Sequence, residues 1–576
     1  MSVNAFGARL AVFVALALVP ALVAADVGIL YEVWHTTAAQ AMQQVAAMHG
    51  TQLTTERVIR SNGAQDLNDV YGPYNISSDI YNVEPALGFY CLYRARAGEP
   101  GLVPDCPNIT QTATAHAKLL VDMGIDYVMV DVTNWPTNTT STDISVIRPT
   151  EVLFEEWYKL RQQNISTPAI AVWPCSPAGS NTWQVLLDKL YNNASYASLV
   201  YQQNGKKVVA IPKNPNCYDE GVAAAIAANG GRNDVTTINL WALFGPADYE
   251  AGTWGFFSPC VSSTDGTSYT TSIVGEPACN QRPTLDPATG GITEISASGA
   301  YMVSQSALPF ANPGHLRGLT VARLFERVLD LRPPHLFLSS FNEHIGGRQQ
   351  PVSSSKIAFN MGLPNDSQRD VVWVDTYASE FSRDMEPTVE GGDTVYRVAS
   401  ACVALYKAGL NCTAAPTDLC CTRADKEVFA NVWSLSHASG NVYDTVLTTN
   451  AAEVSALETD GWAENCSPIS GPSVFCVDTS LTDGRNGPFI LYNQQLPNTI
   501  PLYRCNEPQQ THHHISTDPN CDGDGAVEST LGFIAQQRGG ETLRGLYRCK
   551  TPQGGYAHSL DLPCDTPDGP VLGYVR

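Results

Sequence analysis

Thr112-Ala-Thr-Ala-His-Ala-Lys-Leu-Leu-Val-Asp-Met123-Gly-Ile-Asp-Tyr127-Val-Met-Val-Asp131-Val-Thr-Asn-Trp135 decides how the chain folds. Its first half spaces apolar side chains as an amphipathic helix over 112–123. Its second half, from Tyr127 to Asp131, is a short apolar run of the kind that forms a strand buried on both faces. The unit recurs. Strands are predicted at 27–34, 127–131, 169–173, 208–211, 237–243, 301–305, 336–340 and 371–375. Helices are predicted between them at 37–49, 112–123, 150–163, 183–192, 316–331 and 394–408. Doubly apolar strands separated by helices imply a parallel sheet with covered faces, and eight such units fit an α/β fold of the (β/α)8 TIM-barrel type. A doubly wound open sheet is the alternative, weakened because no Gly-x-Gly-x-x-Gly follows the first strand.

Many of these strands end in polar or aromatic residues. The first holds Tyr31, Glu32 and Trp34; the next runs into Asp131, Asn134 and Trp135; others reach Trp173 and Trp241. The late ones lead into Asn342, Glu343, His344 and Tyr377. In a barrel the C-terminal strand ends surround the active site. Aromatic faces there would stack on sugar C–H groups, while carboxylates and amides would bond hydroxyls. A carbohydrate is the expected ligand.

The sharpest constellation is Phe337-Leu-Ser-Ser-Phe-Asn-Glu343-His-Ile-Gly-Gly-Arg348, an apolar strand that breaks into Asn, Glu and His and then into glycines expected to open a loop. Glu343 is the leading catalytic candidate; a structural ion pair with Arg348 is the plain alternative. Ser339-Ser-Phe-Asn-Glu343 resembles the Ser-Phe-Asn-Glu-Trp strand end of endo-α-mannosidase-like glycoside hydrolases (family 99) and their family 71-like relatives. Val27-Gly-Ile-Leu-Tyr-Glu-Val-Trp34, Gly124-Ile-Asp-Tyr-Val-Met-Val-Asp131 and Arg317-Gly318 resemble further motifs of that group, in the same order. The resemblance implies a pair of glutamates in Asn-Glu-x-x-Glu spacing. The first helps the sugar 2-hydroxyl attack the anomeric carbon; the second protonates the leaving oxygen. Glu343 matches the first. The second falls on Gly346, and His344 stands where the family has Trp, so the proton must come from elsewhere or the barrel binds sugar without cleaving it.

Glycoside cleavage normally needs two carboxyls, one of them protonated. Asp131 is the expected second acid, since its strand leads into Asn134 and Trp135. Glu380, Asp384 and Glu386, with Arg383 among them, read as a solvated or salt-bridged loop. Glu32 reads as a paired structural carboxylate inside the barrel, and His344 as an exposed loop residue that could donate a proton. No Gly-x-Ser-x-Gly elbow, P-loop or His-Glu-x-x-His sequence is present, and proton transfer of this kind needs no cofactor.

Arg9 followed by the apolar run 10–23 and Ala24-Ala25 reads as a signal peptide over 1–25, with a retained anchor as the alternative. The 16 cysteines, an even number without paired zinc spacing, read as disulfides of a secreted, extracellular chain. Adjacent Cys420 and Cys421 would have separate partners. Asn75, Asn108, Asn138, Asn164, Asn193, Asn365, Asn411 and Asn465 head Asn-x-Ser/Thr sequons, suggesting a glycosylated surface. A net charge of −22 argues against nucleic acid and anionic membranes, and no later segment is apolar enough to insert in a bilayer.

The barrel is expected to span 26–427 and a small all-β module 428–576. Leu502-Tyr-Arg-Cys505 recurs as Leu546-Tyr-Arg-Cys549, 44 residues on, each followed by His (His514, His558), Ser and Cys. A divergent first copy starts near Trp433. Three such units suggest a threefold, trefoil-like module. It resembles lectin-like repeats appended to secreted hydrolases, which makes Tyr503, Arg504, Tyr547, Arg548, His514 and His558 surface candidates; core scaffolding is the alternative. Asp518-Pro-Asn-Cys-Asp-Gly-Asp524 has the look of a calcium loop without its bidentate Glu.

Overall fold

The computed structural model describes residues 25–36, 38–40, 79–81, 83–132, 143–174, 186–212, 234–240, 252–255, 260–261, 280–281, 283–300, 315, 318–349, 372–373, 382–389, 391–424, 429–439, 442–464, 466–468, 476–478, 490–492, 495, 499–507, 512–536, 544–550, 556–560 and 571–575. Residues 1–24 of the signal peptide expected over 1–25, the strand expected at 301–305, and Asn134, Trp135, Trp241 and Tyr377 lie outside these residues.

Seven parallel strands organise the first part: β1 (Asp26–Glu32), β2 (Tyr127–Val132), β3 (Ala169–Pro174), β4 (Lys206–Pro212), β5 (Val235–Leu240), β6 (Ile292–Ala297) and β7 (His335–Leu338). They lie side by side in the order β6-β7-β1-β2-β3-β4-β5, so β1 is flanked by the second strand and by the last. This is chain order read around a circle, unlike the order 3-2-1-4-5-6 of a doubly wound sheet. Between β5 and β6 stands the short segment 252–255. Trp254 forms a parallel bridge with Leu240, and Gly255 N–H donates to the Glu294 carboxylate on β6 (3.0 Å).

Burial on both faces explains the apolar runs. Val27, Ile29, Leu30 and Tyr31 are fully buried, as are Val128, Met129 and Val130. Gly28 is required by close approach: a Cβ there would lie 2.2 Å from the Tyr127 ring. Helices α1 (Ile109–Met123), α2 (Arg148–Gln162), α3 (Leu319–Leu331) and α4 (Thr394–Ala408) cover the sheet. On α1 the buried positions Ile109, Ala113, Ala117 and Leu120 recur every three or four residues, and Gly124 at φ 87° ends the helix by donating to Leu120 and Val121 carbonyls. Trp157 of α2 donates to the Ala113 carbonyl (3.0 Å), tying the two helices together.

Two expectations are corrected. The run at 371–375 is no barrel strand: Val372–Trp373 pairs antiparallel with Ile345–Gln349, which also pairs with Asp79–Tyr81. The glycines after Glu343 therefore sit in a strand, with Gly346 opposite Ile80, and open no loop.

The C-terminal residues have a separate apolar core, from Val432 to Val575. Antiparallel hairpins among the described residues include β8/β9 (Trp433–Ser439, Val442–Thr448), β10/β11 (Thr499–Glu507, His512–Ser516) and β12/β13 (Arg544–Lys550, Tyr556–Leu560). Thr445 and Leu447 of the first, His513 and Ile515 of the second, and Tyr556 of the third line one small cavity. The repeated arginine joins successive units. Arg504 donates to the Leu447 carbonyl (3.1 Å), and Arg548 donates to the Ile515 carbonyl (3.0 Å). These two arginines are scaffold rather than free surface. Ser516 opposes Tyr503 and Ser559 opposes Tyr547, but His514 opposes Cys505 whereas His558 opposes Arg548. The two histidines therefore hold register positions one residue apart and are not equivalent.

Disulfides join Cys91–Cys106, Cys402–Cys420, Cys412–Cys421 and Cys505–Cys521. Cys420 and Cys421 do have different partners. No described helix is long and apolar enough to cross a membrane.

Candidate active site

The site is built where β1, β2 and β7 end. Glu32 and Asp131 are Cα partners across β1 and β2, and Trp173 is the partner of Asp131 on β3. Beyond β7 the chain stays against β1. Phe341 N–H donates to the Leu30 carbonyl (2.9 Å), and the Asn342 amide clasps Glu32 at both ends, accepting from its N–H (2.8 Å) and donating to its carbonyl (3.1 Å). That clasp holds the residue before Glu343 against the end of β1. It explains why Asn precedes the glutamate: only a carboxamide offers an acceptor and a donor in one plane.

Residues 382–386 close the site from the other side. Met385 and Glu386 donate their N–H groups to the Phe341 carbonyl (3.1 and 2.8 Å). Asp384 accepts from Glu343 N–H and from the Ser340 hydroxyl (both 2.5 Å) and also from Ser382. Arg383, 3% exposed, forms an ion pair with the Glu343 carboxylate. Burial lowers this guanidinium to about 10, against the pull of Asp384, Glu32 and Asp131. One buried cation thus faces four carboxyls. Residues 382–386 of the segment read as a solvated or salt-bridged loop are buried, and Arg383 among them is ion-paired with Glu343.

Those four acids are not alike. Glu343 lies against a guanidinium, which favours its ionised form. Glu32 is fully buried; burial and then the Asp131 charge push its carboxyl well above the ordinary range, with Arg383 acting the other way. Glu32 accepts a hydrogen bond from the Trp34 indole N–H.

Behind them runs a wholly buried polar chain. Tyr31 OH is 2.6 Å from His116 Nδ1, His116 Nε2 is 3.0 Å from Glu386, and Glu386 meets His344 Nε2 at 2.9 Å. Tyr90 OH donates to Glu386 (2.7 Å) and accepts from Asn342 (3.1 Å). Burial works against charge on Glu386, but His116 and His344 hold it below the ordinary carboxylate range. Burial likewise opposes charge on His344, yet Asp384 and Glu386 raise it. Burial pushes His35 down to about 3, and its Nε2 lies 2.9 Å from the Asn342 carbonyl.

Several expected ligand contacts are therefore corrected. Tyr31, Asn342 and His344 are fully buried and bonded to one another's neighbours, so they position the site rather than line its mouth. His344 is no exposed loop residue. Trp173 is also fully buried and belongs to the core. Trp34 is half-buried and beside Glu32. Sequence reasoning missed His116 and Tyr90, placed Arg383 only in a solvated or salt-bridged loop, and gave Glu32 a lesser place. No group of acidic, His or Cys side chains suited to a metal ion occurs among the described residues, and Asp522 of the calcium-like loop is ion-paired with Arg548 (2.6 Å).

No family model matches the chain, and no curated protein matches it. Among solved structures, it is similar to the GH99 endo-alpha-mannosidase from Bacteroides thetaiotaomicron and to the same enzyme in complex with Bis-Tris-propane. Each is 13% identical with a TM-score of 0.34, covering 57% of this chain and 85% or 89% of the other. At that depth the side chains themselves must carry the reading.

Proposed function

We propose that the chain is a secreted glycoside hydrolase that cleaves an oligo- or polysaccharide by carboxylate acid/base chemistry. The strands of 26–427 would close into a (β/α)8 barrel, followed by the repeat module 428–576. The observation that carries the reading is the company of Glu343: a glutamate at a strand end, sharing one buried guanidinium with the paired acids Asp131 and Glu32. Two sets of carboxyls with opposed protonation is what a glycosidase needs, one to accept a proton and one to give it. Glu343 takes the accepting role, and Asp131 belongs to the donating side. Trp34 offers an aromatic face beside them, and Trp135, Trp241 and Tyr377 would extend it as stacking subsites. No cofactor takes part in this scheme.

The second reading is a non-catalytic glycan-binding or cell-wall protein on the same scaffold, and Gly346 in place of the family's acid favours it. The purified protein and its Glu343→Gln variant, incubated with α- and β-linked mannans, glucans and algal polysaccharides, separate the two. The enzyme releases sugars, and the variant loses about 10²–10⁴-fold of that rate. Binding by both without release by either would establish the second reading instead.

A further inference from the structure

We propose that Glu32 and Asp131 hold a single proton between them and that this pair supplies the proton to the departing glycosidic oxygen. The inference rests on the glycosidase reading and answers the question that Gly346 poses.

The geometry comes from strand register. Directly paired residues on neighbouring parallel strands project to one face, with backbones about 4.8 Å apart. Glu32 and Asp131 are such partners, 1% and 7% exposed. The Trp34 indole N–H fixes one oxygen of Glu32. Like charges so placed favour taking up a proton, and the described cation that reaches them, Arg383, is shared with Glu343 and Asp384. Arg383 is engaged by Glu343, and Asp384 lies next to it; His344 is turned to Asp384 (3.5 Å) and Glu386. Burial and the Asp131 charge favour the protonated form of Glu32, which agrees with this arrangement.

The step balances. The proton of the pair moves to the glycosidic oxygen as the C–O bond breaks and its electrons pass to that oxygen. The attacking oxygen forms the new bond to the anomeric carbon and gives its proton to Glu343; one water is consumed over the cycle. Glu343 thereby loses its charge just as the pair becomes doubly ionised, and Arg383 is released from one to face the other. A proton then returns from Glu343 to the pair through solvent.

Glycosyl fluorides test this, because fluoride leaves without protonation. Glu32→Gln and Asp131→Asn should each lose about 10²–10⁴-fold on the polysaccharide that the parent cleaves. On the matching mannosyl, glucosyl or galactosyl fluoride each should lose less than about tenfold, while Glu343→Gln fails on both. Glu32→Gln keeps the shape of the protonated acid, and its thermal melting curve reports folding. If both Glu32→Gln and Asp131→Asn cleave polysaccharide at the parental rate, the pair is not the acid, and the glycosidase reading stands. A parent inactive on polysaccharides and fluorides alike overturns that reading and the catalytic role together. The shared proton is read separately from the parent-minus-Glu32→Gln infrared difference spectrum near pH 7, which should contain a protonated-carboxyl band. Its absence overturns the pairing whatever the activity.

Discussion

Glu294 shows how one buried side chain can tie stability to pH. It is fully buried on β6 and accepts from Gly255 N–H and the Thr284 hydroxyl (2.9 Å), yet burial still raises its carboxyl to about 8. The folded state therefore holds a proton that the unfolded chain releases near pH 4.3. Stability linked to this group is complete below that value and is lost as pH rises towards about 8, by roughly 5 kcal/mol at most. Glu294→Gln, which cannot ionise, should flatten that decline; urea denaturation at about pH 5 and pH 8 compares the slopes. Equal slopes in parent and variant would show that Glu294 is ionised in the fold. The same residue hid its strand from sequence reasoning. Ile292-Thr-Glu-Ile-Ser-Ala297 has an acidic residue at its centre, and the proton it holds together with the hydrogen bonds just named makes its burial tolerable.

Between elements, two contacts are open to test. Gly318, at φ +86°, begins α3, and a Cβ there would lie 2.8 Å from the Val398 side chain on α4. Gly318→Ala combines left-handed strain with this overlap and should cost about 1–3 kcal/mol in denaturant melts. In the repeats, Arg504 is 8% exposed and bonds Glu453 (2.7 Å) and Glu528 (2.9 Å) as well as the Leu447 carbonyl. Arg504→Ala should destabilise by about 3 kcal/mol, because the carbonyl and both carboxylates lose their donor. Arg548→Ala should cost about 1 kcal/mol or less, since Asp522 is substantially solvated. A loss at Arg548 as large as at Arg504 would contradict this account. The repeat was legible because Leu-Tyr-Arg-Cys recurs; that its arginines grip the preceding hairpin was not, since the acceptors are main-chain carbonyls.

At the scale of the whole molecule, the disulfides among the described residues close short loops, 9 to 18 residues apart. Such cross-links stabilise mainly by restricting the unfolded chain. Replacing both Cys505 and Cys521 by Ser should cost about 2–4 kcal/mol, read as a lower melting temperature of the full chain. Asn108 and Asn164 are exposed at two sequons, in keeping with a glycosylated surface. The sequence by itself determined the alternation of strand and helix, the even set of cysteines, the recurrence of the C-terminal unit and the conspicuous Asn-Glu at a strand end. These are local patterns, set by periodicity within a few turns or strands of chain. Tertiary structure alone decided which acid meets which. Glu32, Asp131, Glu343 and Arg383 come from four distant stretches, and their charges follow from strand register and shared burial. A carboxyl's protonation depends on its neighbours in space, which no spacing along the chain specifies.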